Sequence, residues 1–89
     1  MKESYLEVTF RRGQAIAAYY YLPRRPGQKS YRTMRVGPGM LIDLSRSGQP
    51  LGVEITAPRL ASQTILNRVL KQYGQPPVKR ADLAPLRAA

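Results

Sequence analysis

The stretch DLSRSGQPLGVEI, residues 43–55, predicts the central hairpin of the fold. Alternating runs flank a Ser-Arg-Ser-Gly turn, and such alternation is typical of strands with one buried face. An antiparallel register places six apolar side chains on one side. The predicted pairs are Met40 with Ile55, Ile42 with Val53, and Leu44 with Leu51. Gly48 falls in the turn, where a left-handed backbone is needed.

The same alternation predicts three earlier strands. The five predicted strands cover residues 5–10, 15–22, 30–36, 40–45 and 50–56. A loop with two prolines and a glycine, residues 23–29, separates the second strand from the third. We expect an antiparallel sheet of about five strands in meander order, so that this loop and the turn at 45–49 lie at one end of the sheet.

After Pro58 the apolar spacing becomes helical. It predicts a helix over residues 62–73, with Ser62 as N-cap and Gly74 beyond its end. Residues 82–88 fit either a short helical turn, with Leu83 and Leu86 packing back, or a loose tail. The predicted fold class is α+β, with the helix packed on one face of the sheet. Residues 1–58 would form the sheet, and residues 59–89 would complete the same single domain.

Composition narrows the classes of function. The 89 residues contain neither cysteine nor histidine, so the usual thiolate nucleophile, general base and metal ligands are missing. We therefore expect no enzyme activity and no cofactor, and no small-molecule substrate is evident. We expect neither a membrane span nor a secretory signal, because no segment is long and apolar enough to span a bilayer and the first residues include Glu3 and Glu7 without a long apolar run. A cytoplasmic location fits the missing cysteines.

The hairpin resembles the hallmark of a widespread bacterial family of small uncharacterised proteins, domain of unknown function 2283. The elements that carry the resemblance are MLIDLS, RSGQP and LGVEIT, and it extends over roughly residues 5–58. The turn departs from the family, since Ser45, Arg46 and Ser47 stand where members often have acidic residues. The resemblance implies an antitoxin-like possibility and supplies no functional residue.

Charge favours an anionic partner. Fifteen Lys and Arg against five Asp and Glu give a net charge of +10. Nucleic acid is the leading partner, an acidic protein is another, and plain solubility is the alternative. The predicted end of the sheet that carries both loops gathers four cations as candidate nucleic-acid-binding residues: Arg24, Arg25, Lys29 and Arg46.

The Tyr19-Tyr20-Tyr21 run predicts an aromatic outer face. Pairing Phe10 with Ala15 points Tyr19 and Tyr21 inward and Tyr20 outward. The predicted interface of a homodimer or another protein complex then contains Tyr5, Tyr20, Tyr31 and Arg35. A base-stacking platform and a mildly apolar solvent face remain alternatives.

Asp43 and Glu54 are predicted to share the outer face of the hairpin. A carboxylate pair is compatible with acid–base or metal chemistry, but without histidine and among arginines the favoured explanation is pairing with Arg32 or Arg35, or simple solvation. Gly52, which faces Asp43 in the predicted register, indicates a place where a bulky neighbour or another backbone comes close.

Overall fold

The computed structural model describes residues 3–87, so Ala88, the last residue of the predicted tail helix, lies outside the described residues. The described part is α+β with an antiparallel sheet, as predicted. The elements are β1 (Tyr5–Arg11), β2 (Gln14–Tyr21), β3 (Arg32–Gly37), β4 (Met40–Leu44), β5 (Pro50–Ile55), α1 (Gln63–Gln72) and a 3₁₀ helix (Arg80–Arg87).

The strand order is β1-β2-β5-β4-β3, so the predicted meander order is wrong. Strand β5 lies between β2 and β4, and β3 forms an edge. Burial gives the physical reason: five of the six residues of β5 are buried, whereas the first four residues of β3 are exposed. A central strand is covered by neighbours on both sides, while an edge tolerates charged residues such as Arg32 and Arg35.

A β-bulge changes which tyrosines face the core. Phe10 pairs with Ala15 as predicted, but Thr9 pairs with Ala17, so Ile16 is the extra residue. The bulge reverses the inward and outward alternation along β2. Tyr20 is therefore only 9% exposed, and its predicted outward position is wrong. Tyr19 and Tyr21 face outward, which corrects their predicted inward positions.

The central hairpin follows most of its predicted register. Met40 pairs with Ile55, and Ile42 pairs with Val53. Leu44 pairs with Pro50 and not with Leu51, because the register shifts after Asp43. Leu51 is nevertheless fully buried. Five apolar residues of the hairpin belong to the hydrophobic core cluster: Met40, Ile42, Leu44, Val53 and Ile55.

The helix begins and ends close to the predicted residues. The Ser62 hydroxyl accepts a hydrogen bond of 3.1 Å from the backbone N–H of Ile65, and Gly74 follows the helix with φ +71°. The apolar stripe of α1 shares one hydrophobic core with β2, β4 and β5; its buried members are Leu66, Val69 and Leu70.

The tail is ordered as a 3₁₀ helix. Leu83 and Leu86 are each 6% exposed and belong to the same core cluster. The helix contacts β1 and β2 of its own chain. Of the two alternatives left open by the sequence, the short helical turn that packs back is confirmed for the described residues.

Candidate functional site

The long loop between β2 and β3 and the turn between β4 and β5 meet at one end of the sheet. We call this region, residues 22–31 and 45–49, the loop end. The backbone N–H of Tyr31 donates to the carbonyl oxygen of Leu44 over 2.9 Å, and the Gln28 amide donates to the Gln49 side chain over 3.0 Å. The long loop therefore crosses the ends of β5 and β4 and is tied to the turn.

The turn between β4 and β5 is held by its own hydrogen bonds. The backbone N–H of Ser45 donates to the Gln49 carbonyl over 2.8 Å, and that of Gly48 donates to the Ser45 carbonyl over 2.9 Å. Gly48 has the predicted left-handed backbone, with φ +89°. The Ser45 hydroxyl accepts from the N–H of Gln49 over 3.1 Å, and Ser45 is only 7% exposed. Arg46 is thus presented to solvent by an internally bonded turn.

A groove of about 410 Å³ lies between the two loops. Lys29, Tyr31 and Arg46 line it, together with residues 27, 28, 30, 45 and 47. The guanidinium carbon of Arg46 lies 5.5 Å from the centroid of the Tyr31 ring, within the range of a cation–π interaction. Tyr31 is 62% exposed. The groove combines two cations, an accessible aromatic ring and serine hydroxyls.

The other two predicted cations have different surroundings. Arg25 is exposed on the long loop, and its backbone N–H donates to the Gln28 side chain over 2.8 Å. Arg24 is half-buried; its guanidinium donates to the Leu51 carbonyl over 2.9 Å and lies 5.6 Å from the centroid of the Tyr21 ring. The structure therefore brings Lys29 and Arg46 to the groove and places Arg24 against the sheet.

The outer face of the sheet carries three tyrosines in contact. Tyr5 stacks on Tyr21 with ring centroids 4.5 Å apart, and Tyr21 meets Tyr19 at 4.6 Å in a tilted arrangement. Burial raises the pKa of Tyr21, with a further contribution from the nearby Glu7 carboxylate. These rings form a continuous aromatic surface on β1 and β2.

Asp43 joins strands across this face. Its carboxylate accepts a hydrogen bond of 2.6 Å from the Tyr19 hydroxyl and one of 2.5 Å from the Thr33 hydroxyl. Burial and the Asp43 carboxylate raise the pKa of Tyr19, while Arg24 acts in the opposite direction. Tyr19 reaches Asp43 by passing over Gly52, so the bulky neighbour predicted at this glycine is the Tyr19 ring.

The two predicted carboxylates lie on the outer face in the predicted pairs. Asp43 pairs with Gly52, and Glu54 pairs with Leu41. Within residues 3–87, no group of three or more Asp, Glu, His or Cys side chains is placed to hold a metal ion. No helix in this part of the chain is long and apolar enough to cross a membrane. The visible role of Asp43 is to connect β2, β3 and β4 by hydroxyl hydrogen bonds.

The four predicted interface residues do not form one surface. Tyr20 is in the core, whereas Tyr5, Tyr31 and Arg35 are exposed. Tyr5 lies on β1 and Arg35 on β3, at opposite edges of the sheet. Sequence reasoning missed that Tyr31 belongs to the groove; its position directly after the basic loop was the available signal.

Comparisons of the chain with family models, with curated proteins and with solved structures find no match. The resemblance of the hairpin to domain of unknown function 2283 stays a prediction.

Proposed function

We propose that the protein is a non-catalytic binding module whose loop end holds an anionic partner, with nucleic acid as the leading candidate. The observation that supports this proposal is the groove in which Lys29 and Arg46 flank the exposed ring of Tyr31. Among residues 3–87, no side chain that lines it carries a carboxylate. Opposing negative charge would weaken the attraction for a phosphate group, so its absence from this lining favours an anion.

The four candidate cations take two different roles in this proposal. Lys29 and Arg46 contact phosphate groups from the groove, and Arg25 adds a third positive charge on the same loop. Arg24 holds the loop to the sheet, because its guanidinium already donates to the Leu51 carbonyl and packs on Tyr21. Phosphate contacts of this kind give affinity that depends on salt and carries little sequence information.

The geometry of Asp43 supports a non-catalytic role. A general base needs a carboxylate oxygen that is accessible to the substrate proton. Both oxygens of Asp43 accept hydrogen bonds from side-chain hydroxyls, and this arrangement connects the strands. Asp43 is therefore better explained as a structural residue than as a general base.

The second candidate function is a homodimeric protein-interaction module of the antitoxin-like type. The stacked pair of Tyr5 and Tyr21 favours it, because Tyr5 is 47% exposed at an edge of the sheet. Tyrosine is enriched at energetically important positions of protein interfaces. In this alternative Tyr5 and Arg35 remain surface contacts, while Tyr20 contributes only to the core.

Fluorescence anisotropy over a salt series tests the proposed function. Labelled single-stranded RNA, single-stranded DNA and duplex DNA are titrated with the whole chain, because a protein of charge +10 binds many polyanions at low salt. We expect micromolar or tighter binding to at least one probe that persists at about 0.15 M salt. Loss of binding to all three probes at that salt would contradict the proposal and direct the search to protein partners, starting with self-association measured by light scattering.

A further inference from the structure

We infer that the groove at the loop end is a seat for one unstacked base of a single-stranded nucleic acid, with Tyr31 as the stacking surface. This inference rests on the proposed function and adds the class of ligand. Cations alone would give affinity for any polyanion, whether single-stranded, duplex or protein. The groove also contains an aromatic ring, and such a ring favours a ligand with an unpaired base on which it can stack.

The placement of Tyr31 is the first support for a base seat. Its backbone is fixed by the hydrogen bond of 2.9 Å to Leu44, yet 62% of the residue is exposed. It lies before β3 and is not part of the hydrophobic core cluster. An aromatic residue that is held on a fixed backbone and is mostly exposed is a suitable platform for a base, since every base presents a flat π-face.

The neighbours of the ring are the second support. The Arg46 guanidinium lies 5.5 Å from the ring centroid, and Lys29 lines the same groove. The base and the phosphate of one nucleotide are close enough together to contact the Tyr31 ring and these two cations at the same time. Guanidinium groups stack on bases and also pair with phosphates, so Arg46 suits both parts of the ligand. The hydroxyls of Ser30 and Ser47 add hydrogen-bonding groups to the lining.

The size of the groove is compatible with an unpaired base, and the exposed ring of Tyr31 favours one. A volume of about 410 Å³ lies within the range of sites that hold small organic ligands. In a duplex the bases are stacked on each other and exposed only at their edges, so the Tyr31 ring could not reach a base face. In a single strand the bases can turn outward and stack on aromatic side chains. The ligand class is therefore single-stranded RNA or DNA.

The test compares a single-stranded DNA oligonucleotide with an abasic oligonucleotide of the same length and phosphate number. Both are titrated by anisotropy with the wild-type chain, Tyr31→Ala and Tyr31→Phe. We expect Tyr31→Ala to weaken binding of the normal strand by about 5- to 150-fold, which corresponds to the stacking of one base. The abasic strand should be little affected, and Tyr31→Phe should retain wild-type affinity for both strands because it keeps the ring.

The possible results separate this inference from the proposed function. Suppose that the wild-type chain binds the normal strand and that Tyr31→Ala either lowers the affinity for both strands equally or changes neither affinity. The inferred base seat is then wrong, while the proposal of an anionic partner is unaffected. Tighter wild-type binding to duplex DNA than to the single strand also overturns the base seat. If the wild-type chain binds no nucleic acid near physiological salt, both proposals fall. Circular dichroism of Tyr31→Ala checks that the variant is folded, as the exposure of this side chain leads us to expect.

Discussion

Gly52 allows a tyrosine from one strand to reach an aspartate two strands away. A Cβ atom added at this position would lie within 2.6 Å of both Cζ and the hydroxyl oxygen of Tyr19. Tyr19 stands on β2 and Asp43 on β4, with Gly52 on β5 between them. A side chain at residue 52 would therefore displace the ring and break its hydrogen bond to Asp43.

The variant Gly52→Ala tests this relation. We expect it to lower the free energy of unfolding by about 1–3 kcal/mol, as for other insertions into a packed site. In the background of Tyr19→Ala the same substitution should cost much less, because the obstructing ring is gone. Urea denaturation of the four proteins measures this double-mutant cycle. An equal cost of Gly52→Ala in both backgrounds would show that the Tyr19 ring is not what excludes a side chain at residue 52.

The sequence predicts the close approach at Gly52 but not the residue that approaches it. A glycine inside a strand indicates a close approach, and that prediction is confirmed. The identity of the neighbour depends on the bulge at Ile16, which sends Tyr19 outward and Tyr20 inward. No glycine or proline marks this bulge within β2, so alternation alone assigned the three tyrosines to the wrong faces.

At the level of the secondary-structure elements, two side chains of α1, Asn67 and Gln63, hydrogen-bond to the backbone of Val78 in the tail. The side-chain oxygen of Asn67 accepts a hydrogen bond of 2.7 Å from the N–H of Val78, and its amide donates to the carbonyl of Val78 over 3.2 Å. Gln63 donates to the same carbonyl over 3.1 Å. Val78 is 3% exposed, so its backbone groups depend on these partners. These hydrogen bonds from Asn67 and Gln63, which we call the clamp, fix the backbone of Val78 against α1 just before the 3₁₀ helix begins.

Replacement of Asn67 by alanine should destabilise the protein. The buried N–H of Val78 would lose its partner, which costs about 1–3 kcal/mol. Arg68→Ala, an exposed position on the same helix, is the matched control and should change the free energy of unfolding by less than about 0.5 kcal/mol. Chemical denaturation monitored by circular dichroism compares the two variants. Similar midpoints for Asn67→Ala and wild type would show that the clamp contributes nothing.

Local patterns predicted the elements better than their order. The central hairpin and α1 follow from alternation, helical spacing and the Ser62 cap, all of which are short-range signals. The order of the strands depends on which strand takes the most buried place in the sheet. The connection at residues 22–31 is long enough to carry the chain past β5 and β4, and it allows β3 to take the exposed edge.

Across the molecule as a whole, charged residues lie both on the outer face of the sheet and at the loop end. Glu7, Asp43 and Glu54 share the outer face with Arg35, while Lys29 and Arg46 lie at the loop end. The meeting of the two loops was predictable although the meander was wrong. In either order neighbouring strands are antiparallel, so the end of β2 and the turn after β4 lie at the same end. The groove itself was not predictable, because it depends on how the long loop crosses that end.

The binding role of the loop end is tested most directly by the salt dependence of nucleic-acid binding in two double variants of equal charge. One is Lys29→Ala with Arg46→Ala at the groove, and the other is Arg68→Ala with Lys71→Ala on the exposed surface of α1. For a single strand, we predict that the groove variant reduces the slope of log affinity against log salt by about 0.7 for each phosphate group that it no longer neutralises, while the helix variant keeps the wild-type slope. Equal slopes and affinities for the two variants would show that only the overall charge matters, and would contradict the assignment of the loop end as the binding site.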